Sequence, residues 1–473
     1  MKDYEDHDAL GLAERVKQGD VTPEELLEAA IERVEARDGE INAVVIRMFD
    51  EARKAVAAGP PKGPFEGVPF LLKDLHTAWP GVRLTFGSKL FSDYVPDVES
   101  ELVARYRAAG LVVFGKTHSP EFGLTTTSES TLFGQTRNPW NQAHTAGGSS
   151  GGASAAVAAG ILPLAHASDG GGSIRIPASC CGLFGMKPTR GRTPMGPTSG
   201  EGWAGMSAVH AVSRSVRDSA ALLDVSAGPD LGAPYAAQPP ERPFLQEVTR
   251  PPGKLRLAVQ RTSWNGFEPH ADCTAALEDA IALCRDLGHE VVEAPFEVDP
   301  QVLPPAALTI LSVGTRASME LRAEALGRAL QEDDVEPGTW AIASLGASKS
   351  GADYVKAVQT IHAVGRALAR HLEGFDAILS PTMVTPPHAL GVLSLSNPDR
   401  AVSGAATLQT VGYTQLANAT GNPAMSVPLH WNEAGLPIGV QFLGRLNEEG
   451  LLFRLAGQLE QARPWFDRRP PQG

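Results

Sequence analysis

Ser149 lies in Gly147-Gly148-Ser149-Ser150-Gly151-Gly152, and Ser173 follows in a second glycine run, Asp169-Gly170-Gly171-Gly172-Ser173. Lys73 ends the apolar run of Leu71-Leu72-Lys73-Asp74, well upstream of both serines. Two serines and a lysine can run acyl transfer without histidine or metal. Amide hydrolysis needs a nucleophile, a base that later returns the proton to the leaving amine, and donors for the tetrahedral oxyanion. Ser173 is the candidate nucleophile, because the bare backbone of the three glycines before it can approach a reacting carbonyl closely. The N–H groups of Gly170, Gly171, Gly172 and Ser173 are the expected oxyanion hole. Ser149 then passes the proton of Ser173 to a neutral Lys73. A free lysine titrates at about 10.4, so a base at neutral pH carries a differential cost on the order of 4 kcal/mol. Burial among Phe70, Leu71 and Leu72 pushes in that direction. Asp74 would oppose it if close, and is expected to turn away into structural hydrogen bonds.

Each element has an ordinary reading as well. Glycine-serine runs form turns or cradle phosphates, and a lysine ending an apolar run is usually a strand reaching solvent. Gly147-x-Ser149-x-Gly151 matches a nucleophile elbow in letters only, since that elbow follows a buried strand and Trp140-Asn141-Gln142-Ala143-His144 is not one. No Walker lysine follows either glycine cluster, and His-Glu-x-x-His, Cys-x-x-Cys and Ser-x-x-Lys are absent. No cofactor and no metal are expected.

The elements that must position these residues alternate. Positions 1–60 read as helical and include the capping box Thr22-Pro23-Glu24-Glu25. From Gly67 on, short apolar runs (Val68 to Leu72, Leu111 to Phe114, Ile161 to Ala165) alternate with helices near Ser100 to Ala109 and Ala153 to Ala159, the pattern of an α/β sheet. Positions 225–255 are rich in Pro, Gly and Ala. Beyond them Leu255 to Val259, His289 to Ala294, Asp376 to Ser380 and Gly439 to Leu443 read as strands, and Cys273 to Leu287 as a helix. A single domain over 1–473 is expected: an N-terminal helical segment (1–60), core motifs (67–220), a substrate-side excursion (225–350) and a return to the core sheet (370–473).

Composition sets the frame. The chain has 473 residues, 42% of them hydrophobic, enough for a large core, and a net charge of −13 that disfavours nucleic acid. The N-terminus is acidic from Asp3 and lacks a signal-like apolar stretch, and no window is long and apolar enough for a membrane span, so a cytoplasmic protein without membrane or nucleic-acid partners is expected. Four cysteines make no disulfide framework. Buried thiols are expected, with Cys180-Cys181 the one pair that could form a redox switch.

Taken together, these motifs resemble the amidase signature family of serine hydrolases. The resemblance rests on Gly67-Val68-Pro69-Phe70-Leu71-Leu72-Lys73-Asp74, Gly115-Lys116-Thr117, Gly147 to Gly152, Ser168 to Ala178, Gly185-Met186-Lys187-Pro188-Thr189 and Gly435-Leu436-Pro437-Ile438-Gly439-Val440-Gln441, in family order. It implies an α/β fold with one large mixed β-sheet flanked by helices on both faces. It also implies Lys73 as base, Ser149 as the cis-serine bridge and Ser173 as acyl-enzyme nucleophile, with Asp169 and Arg175 structural.

Departures bear on substrate. Gly170 stands where the family usually has Thr, Ile or a similar residue, which should widen or loosen the turn, and His118 replaces a common asparagine. Ile176 replaces the glutamine typical of tRNA-dependent amidotransferase subunits, pointing to a stand-alone hydrolase. Arg137-Asn138-Pro139-Trp140, Gln331 to Glu336 and Pro464 to Pro470 resemble a bacterial branch that opens cyclic ω-amino-acid amides. Leu124, Thr125, Gly148 and Leu311 are the expected substrate contacts, Leu124 and Leu311 being apolar where that branch is polar. The expected activity is hydrolysis of small or medium uncharged amides, with esters or carbamates as side substrates. The expected partners are the amide and water, with a homodimer left open. An amidotransferase subunit and an inactive binding protein of the same fold are the alternatives.

Overall fold

The computed structural model describes Met1 and residues 3–471; Lys2 and the last two residues of the Arg468–Gly473 tail lie outside the described residues. An eight-stranded mixed sheet runs in the order Glu290–Glu293, Arg256–Val259, Ala377–Pro381, Pro437–Gly444, Ala424–Trp431, Phe184–Lys187, Ala208–Ser213, Leu164–Asp169. The first three strands pair in parallel and all later neighbours antiparallel. Both strands of the excursion, 256–259 and 290–293, therefore join the sheet that carries the glycine-rich core.

Alternation along the strands sorts the helices onto two faces. Leu257, Val259, Met425, Val427, Val440 and Phe442 pack with the helices Val216–Ser226, Ala271–Asp286 and Glu449–Ala462. Ala258, Ile378, Ala424 and Leu443 face Leu303–Ala325, Gly351–His371 and Gln415–Thr420 instead. This is the flanked mixed sheet that the motifs imply.

A second sheet of three strands, Val44–Arg47, Val112–Thr117 and Pro69–Lys73, lies beside the edge strand Leu164–Asp169. At the seam the backbone N–H of Lys73 donates to Nδ1 of His166 at 3.2 Å. Val44–Arg47 corrects the all-helical reading of positions 1–60. It separates the helices Pro23–Ile41 and Phe49–Ala57, and its pairing partner is the distant Val112–Thr117. The capping box is present, with Thr22 accepting from the Glu25 N–H and Glu25 from that of Thr22. The strand expected over Ile161 to Ala165 begins only at Leu164 and runs to Asp169, after the turn at Gly160 and Pro163. The helix Gly151–Ala158 is buried along its whole length, which its Gly, Ala and Ser side chains permit. It begins just after the Ser149-Ser150 pair.

Candidate active site

Lys73 ends a strand buried at every position, and its side chain is fully buried. Its Nζ meets three hydroxyls and no carboxylate: Ser149 Oγ at 2.7 Å, Ser168 Oγ at 2.9 Å and Ser150 Oγ at 3.0 Å. Burial pushes its pKa down to about 7, against a partial pull upward from Asp169. The N-terminus of Gly151–Ala158, which Ser150 precedes, adds positive potential beside the same nitrogen. Asp74 turns away, accepting from the backbone N–H of Thr85 at 3.0 Å and from its hydroxyl. The Gly148–Ser149 peptide is cis.

Ser150 and Ser168 are partners of Lys73 that sequence reasoning missed. The signal was there in part: Ser150 follows Ser149 directly, and Ser168 falls on the same strand face as His166 by alternation. Ser150 also donates to the carbonyl of Ser168 at 3.1 Å. Its single hydrogen is thereby used, and toward Lys73 it can only accept.

Ser173 follows the edge strand through the glycine turn and is 7% exposed. No hydrogen bond joins it to Ser149 among the described residues. The turn is held by Asp169, which accepts from Nε and Nη2 of Arg175 at 3.0 Å each and from the backbone N–H groups of Gly172 at 2.7 Å and Ile174 at 3.2 Å. Arg175 also reaches Gln441, Asn418 and the Thr414 carbonyl. Burial pushes the Asp169 carboxyl up, but the guanidinium outweighs it and holds the group at about 2.

This arrangement distinguishes the four N–H groups expected to receive the oxyanion. The N–H of Gly172 is occupied by Asp169, which leaves Gly170, Gly171 and Ser173 with N–H groups lacking an acceptor among the described residues. The turn is also not widened at Gly170. A Cβ there would collide with Cζ3 of Trp203 and stand 2.6 Å from its Cε3, so an indole fills the space that a side chain would take.

An apolar cluster that includes Phe91, Phe122, Leu124, Trp203, Leu311 and Trp340 extends from here. Its link to the serines is close at both ends: Trp203 covers Gly170, and a Cβ on Gly123 would lie 3.1 Å from Ser149 Oγ. Apart from Asn42 and Asn447, the non-glycine residues with positive φ among those described are His76, Phe86, Phe122, Trp203 and Ala204. Phe86 and Phe122 belong to this cluster, and His76 stands edge-on to Phe86. Such backbone costs on the order of 1–3 kcal/mol per residue and persists where surroundings over-determine it.

Of the other expected contacts, Leu124 and Leu311 belong to the cluster. Thr125 does not present its hydroxyl, which donates to the Leu393 carbonyl at 2.7 Å from a buried position. Gly148 is buried behind Ser149. His118 is neutral and structural, bonded through its two ring nitrogens to Thr136 and Ser130, its pKa pushed down to about 3 by burial. All four cysteines are free and buried, and burial pushes the Cys180 thiol up to about 12, the opposite of a reactive thiol. Behind the Trp203 loop lies a cavity of about 30 Å³ lined by Arg190, Glu201, Gly205, Ser207 and Tyr235. No helix among the described residues is long and apolar enough to cross a membrane.

Known proteins share this chain's plan over nearly its full length. The 6-aminohexanoate-cyclic-dimer hydrolase of Paenarthrobacter ureafaciens is 39% identical over 477 residues, covering 98% of this chain and 96% of the relative. The structure of 6-aminohexanoate cyclic dimer hydrolase with substrate superposes with a TM-score of 0.94 at 38% identity, over 99% of each chain. A bacterial aryl acylamidase of the amidase signature family superposes with a TM-score of 0.88 at 28% identity, over 97% of this chain and 96% of that one. The Amidase family profile matches residues 25–453, and the chain belongs to that family of hydrolases.

Proposed function

We propose that this amidase cleaves the C–N bond of small or medium uncharged amides through an acyl-enzyme on Ser173, with Ser149 and Lys73 as its proton relay. The observation that carries this reading is a fully buried lysine whose amine meets three hydroxyls and no carboxylate, with its pKa near neutrality. A neutral amine has two hydrogens and one lone pair. Given to Ser150 and Ser168, the hydrogens leave the lone pair facing Ser149.

In the first half-reaction Ser173 Oγ bonds to the amide carbon while its proton moves to Ser149, whose own proton moves to Lys73. The oxyanion is received by the N–H groups of Gly170, Gly171 and Ser173. Collapse breaks the C–N bond, and the departing nitrogen takes a proton from Ser149, which Lys73 replenishes. Water then attacks the ester carbon by the same relay. The acid leaves, and Ser173 regains its proton. The contact from Ser173 to Ser149 must close in the reacting complex, as catalytic hydrogen bonds commonly do when substrate binds.

The 6-aminohexanoate cyclic dimer, which the relatives above carry in their names, is the first substrate to test, followed by linear and other cyclic ω-amino-acid amides. The apolar Leu124 and Leu311 favour uncharged substituents, aliphatic or aromatic, with esters and carbamates as side substrates. A cytoplasmic location fits four free cysteines, all buried, since a reducing compartment keeps thiols unpaired. The test is turnover of an amide panel by the purified chain. Ser173→Ala should lower kcat by at least about 10⁴-fold with the melting temperature retained; retained activity would remove Ser173 from the mechanism.

A further inference from the structure

Trp203 is the large side chain that lies directly over the oxyanion turn. Its six-membered ring occupies the position of a residue-170 side chain, and its five-membered ring approaches helix Leu303–Ala325, where a Cβ on Gly314 would lie 3.3 Å from Cδ1. The indole is thus wedged between two glycines, one beside the nucleophile and one on a helix that also carries Leu311. Its backbone is held in a left-handed turn, φ +51°, by its carbonyl accepting from Met206 at 3.1 Å and by Ser207 donating to Gly202 at 3.1 Å. Arg190 fastens the far side of the loop through the Gly205 carbonyl at 2.6 Å. The ring is held in place, yet half-buried, and its Nε1–H has no acceptor among the described residues.

A large, half-buried plane against the glycine turn that leads to Ser173 limits the bulk a substrate can place there. Resting on the amide-hydrolase reading above, we propose that Trp203 sets the size limit for the substrate group lying against the oxyanion turn, and that it does so as an exchangeable pair with Gly170. The pair admits slim apolar groups, flat or unbranched, and excludes branching next to the carbonyl. Because the two positions compete for one volume, enlarging residue 170 requires shrinking residue 203.

The experiment uses p-nitroanilides whose acyl group runs from acetyl and butyryl to isobutyryl, pivaloyl and benzoyl, with wild type, Trp203→Phe, Trp203→Ala, Gly170→Ala and the double variant Gly170→Ala/Trp203→Ala. Trp203→Ala should reorder the series, raising kcat/KM for pivaloyl relative to acetyl by about tenfold or more, the scale on which pocket size discriminates. Gly170→Ala alone should lower kcat/KM for every member by about tenfold or more, and the added Trp203→Ala should recover most of that loss. A uniform change across the series, or a Gly170→Ala loss that Trp203→Ala does not relieve, would overturn the proposal. If Gly170→Ala fails to fold, the ranking by Trp203→Phe and Trp203→Ala decides alone. Failure of the wild type to turn over any anilide or 6-aminohexanoate oligomer would instead refute the underlying reading.

Discussion

Ser168 and Asp169 are consecutive residues of one edge strand, so their side chains leave on opposite faces, and each serves a buried basic residue. Asp169 meets Arg175 and Ser168 meets Lys73, and both basic side chains are fully buried. Arginine keeps its charge at any accessible pH, and here it has a carboxylate in a two-pronged contact plus Gln441, Asn418 and a backbone carbonyl. Lysine can shed its proton, and it is given hydroxyls only. A carboxylate makes a buried cation a permanent strut, whereas hydroxyls let a buried amine go neutral and act as a base. One residue step along a strand divides the strut from the proposed base.

The strongest way to break this contrast is Lys73→Met. Activity should fall by about 10³–10⁴-fold, within the range a general base contributes. Stability should move the other way. Folded Lys73 gives up its proton at about 7, whereas the unfolded side chain holds one to about 10.4, so the unfolded state binds more protons between these values and stability rises with pH across that window. The methionine variant should therefore gain most at pH 7 and below, up to about 4 kcal/mol, and nothing by about pH 10. Urea midpoints at pH 6.5, 8 and 9.5 check this, and a gap that ignores pH would mean that Lys73 is not held near neutrality.

Arg175→Met tests the other side. It strands the Asp169 carboxylate in the core, which should cost about 3–5 kcal/mol and release the glycine turn. Loss of soluble protein, or a urea midpoint that falls further as pH rises from 5 to 8, is the expected result; a stable, active variant would show the strut to be dispensable.

Ser168→Asp converts one side into the other. A carboxylate beside the amine should raise its pKa by about 1–3, cutting the rate at pH 7 by about tenfold to a hundredfold and moving the rising limb of the pH profile upward. Full activity should return near pH 9–10. A rate reduced equally at all pH values would point to a packing defect rather than a charged base.

Lys73, Ser149 and Ser173 were legible as candidates because each punctuates its surroundings: a lysine at the end of an unbroken apolar run, and serines inside glycine clusters. The partners of Lys73 were less so. Which serines touch it depends on where the strand Leu164–Asp169 lies, and the apolar Ile161 and Leu162, which precede it in a turn, make the strand read as starting earlier than it does. Val44–Arg47 was invisible locally, a short run between two helices whose pairing partner, Val112–Thr117, lies far along the chain. Gly170 to Ser173 offered four equivalent N–H groups, and only the position of Asp169 removes Gly172 from them. Trp203 is the one aromatic residue of the loop Gly196 to Ser207, with nothing nearby in the sequence to say that its ring lies on Gly170.

Lys73 and the two serines stand at the ends of two strands and the start of a helix, inside a core that tolerates little change. Trp203 stands on a loop, half-buried, with a cavity of about 30 Å³ lined by its neighbours Glu201, Gly205 and Ser207. Lys73, Ser149 and Ser173 are buried, so an exchange at Trp203 should disturb the fold less than one among those three. On the proposed roles, changes confined to that loop would alter which acyl groups fit while the lysine and the two serines stay as they are.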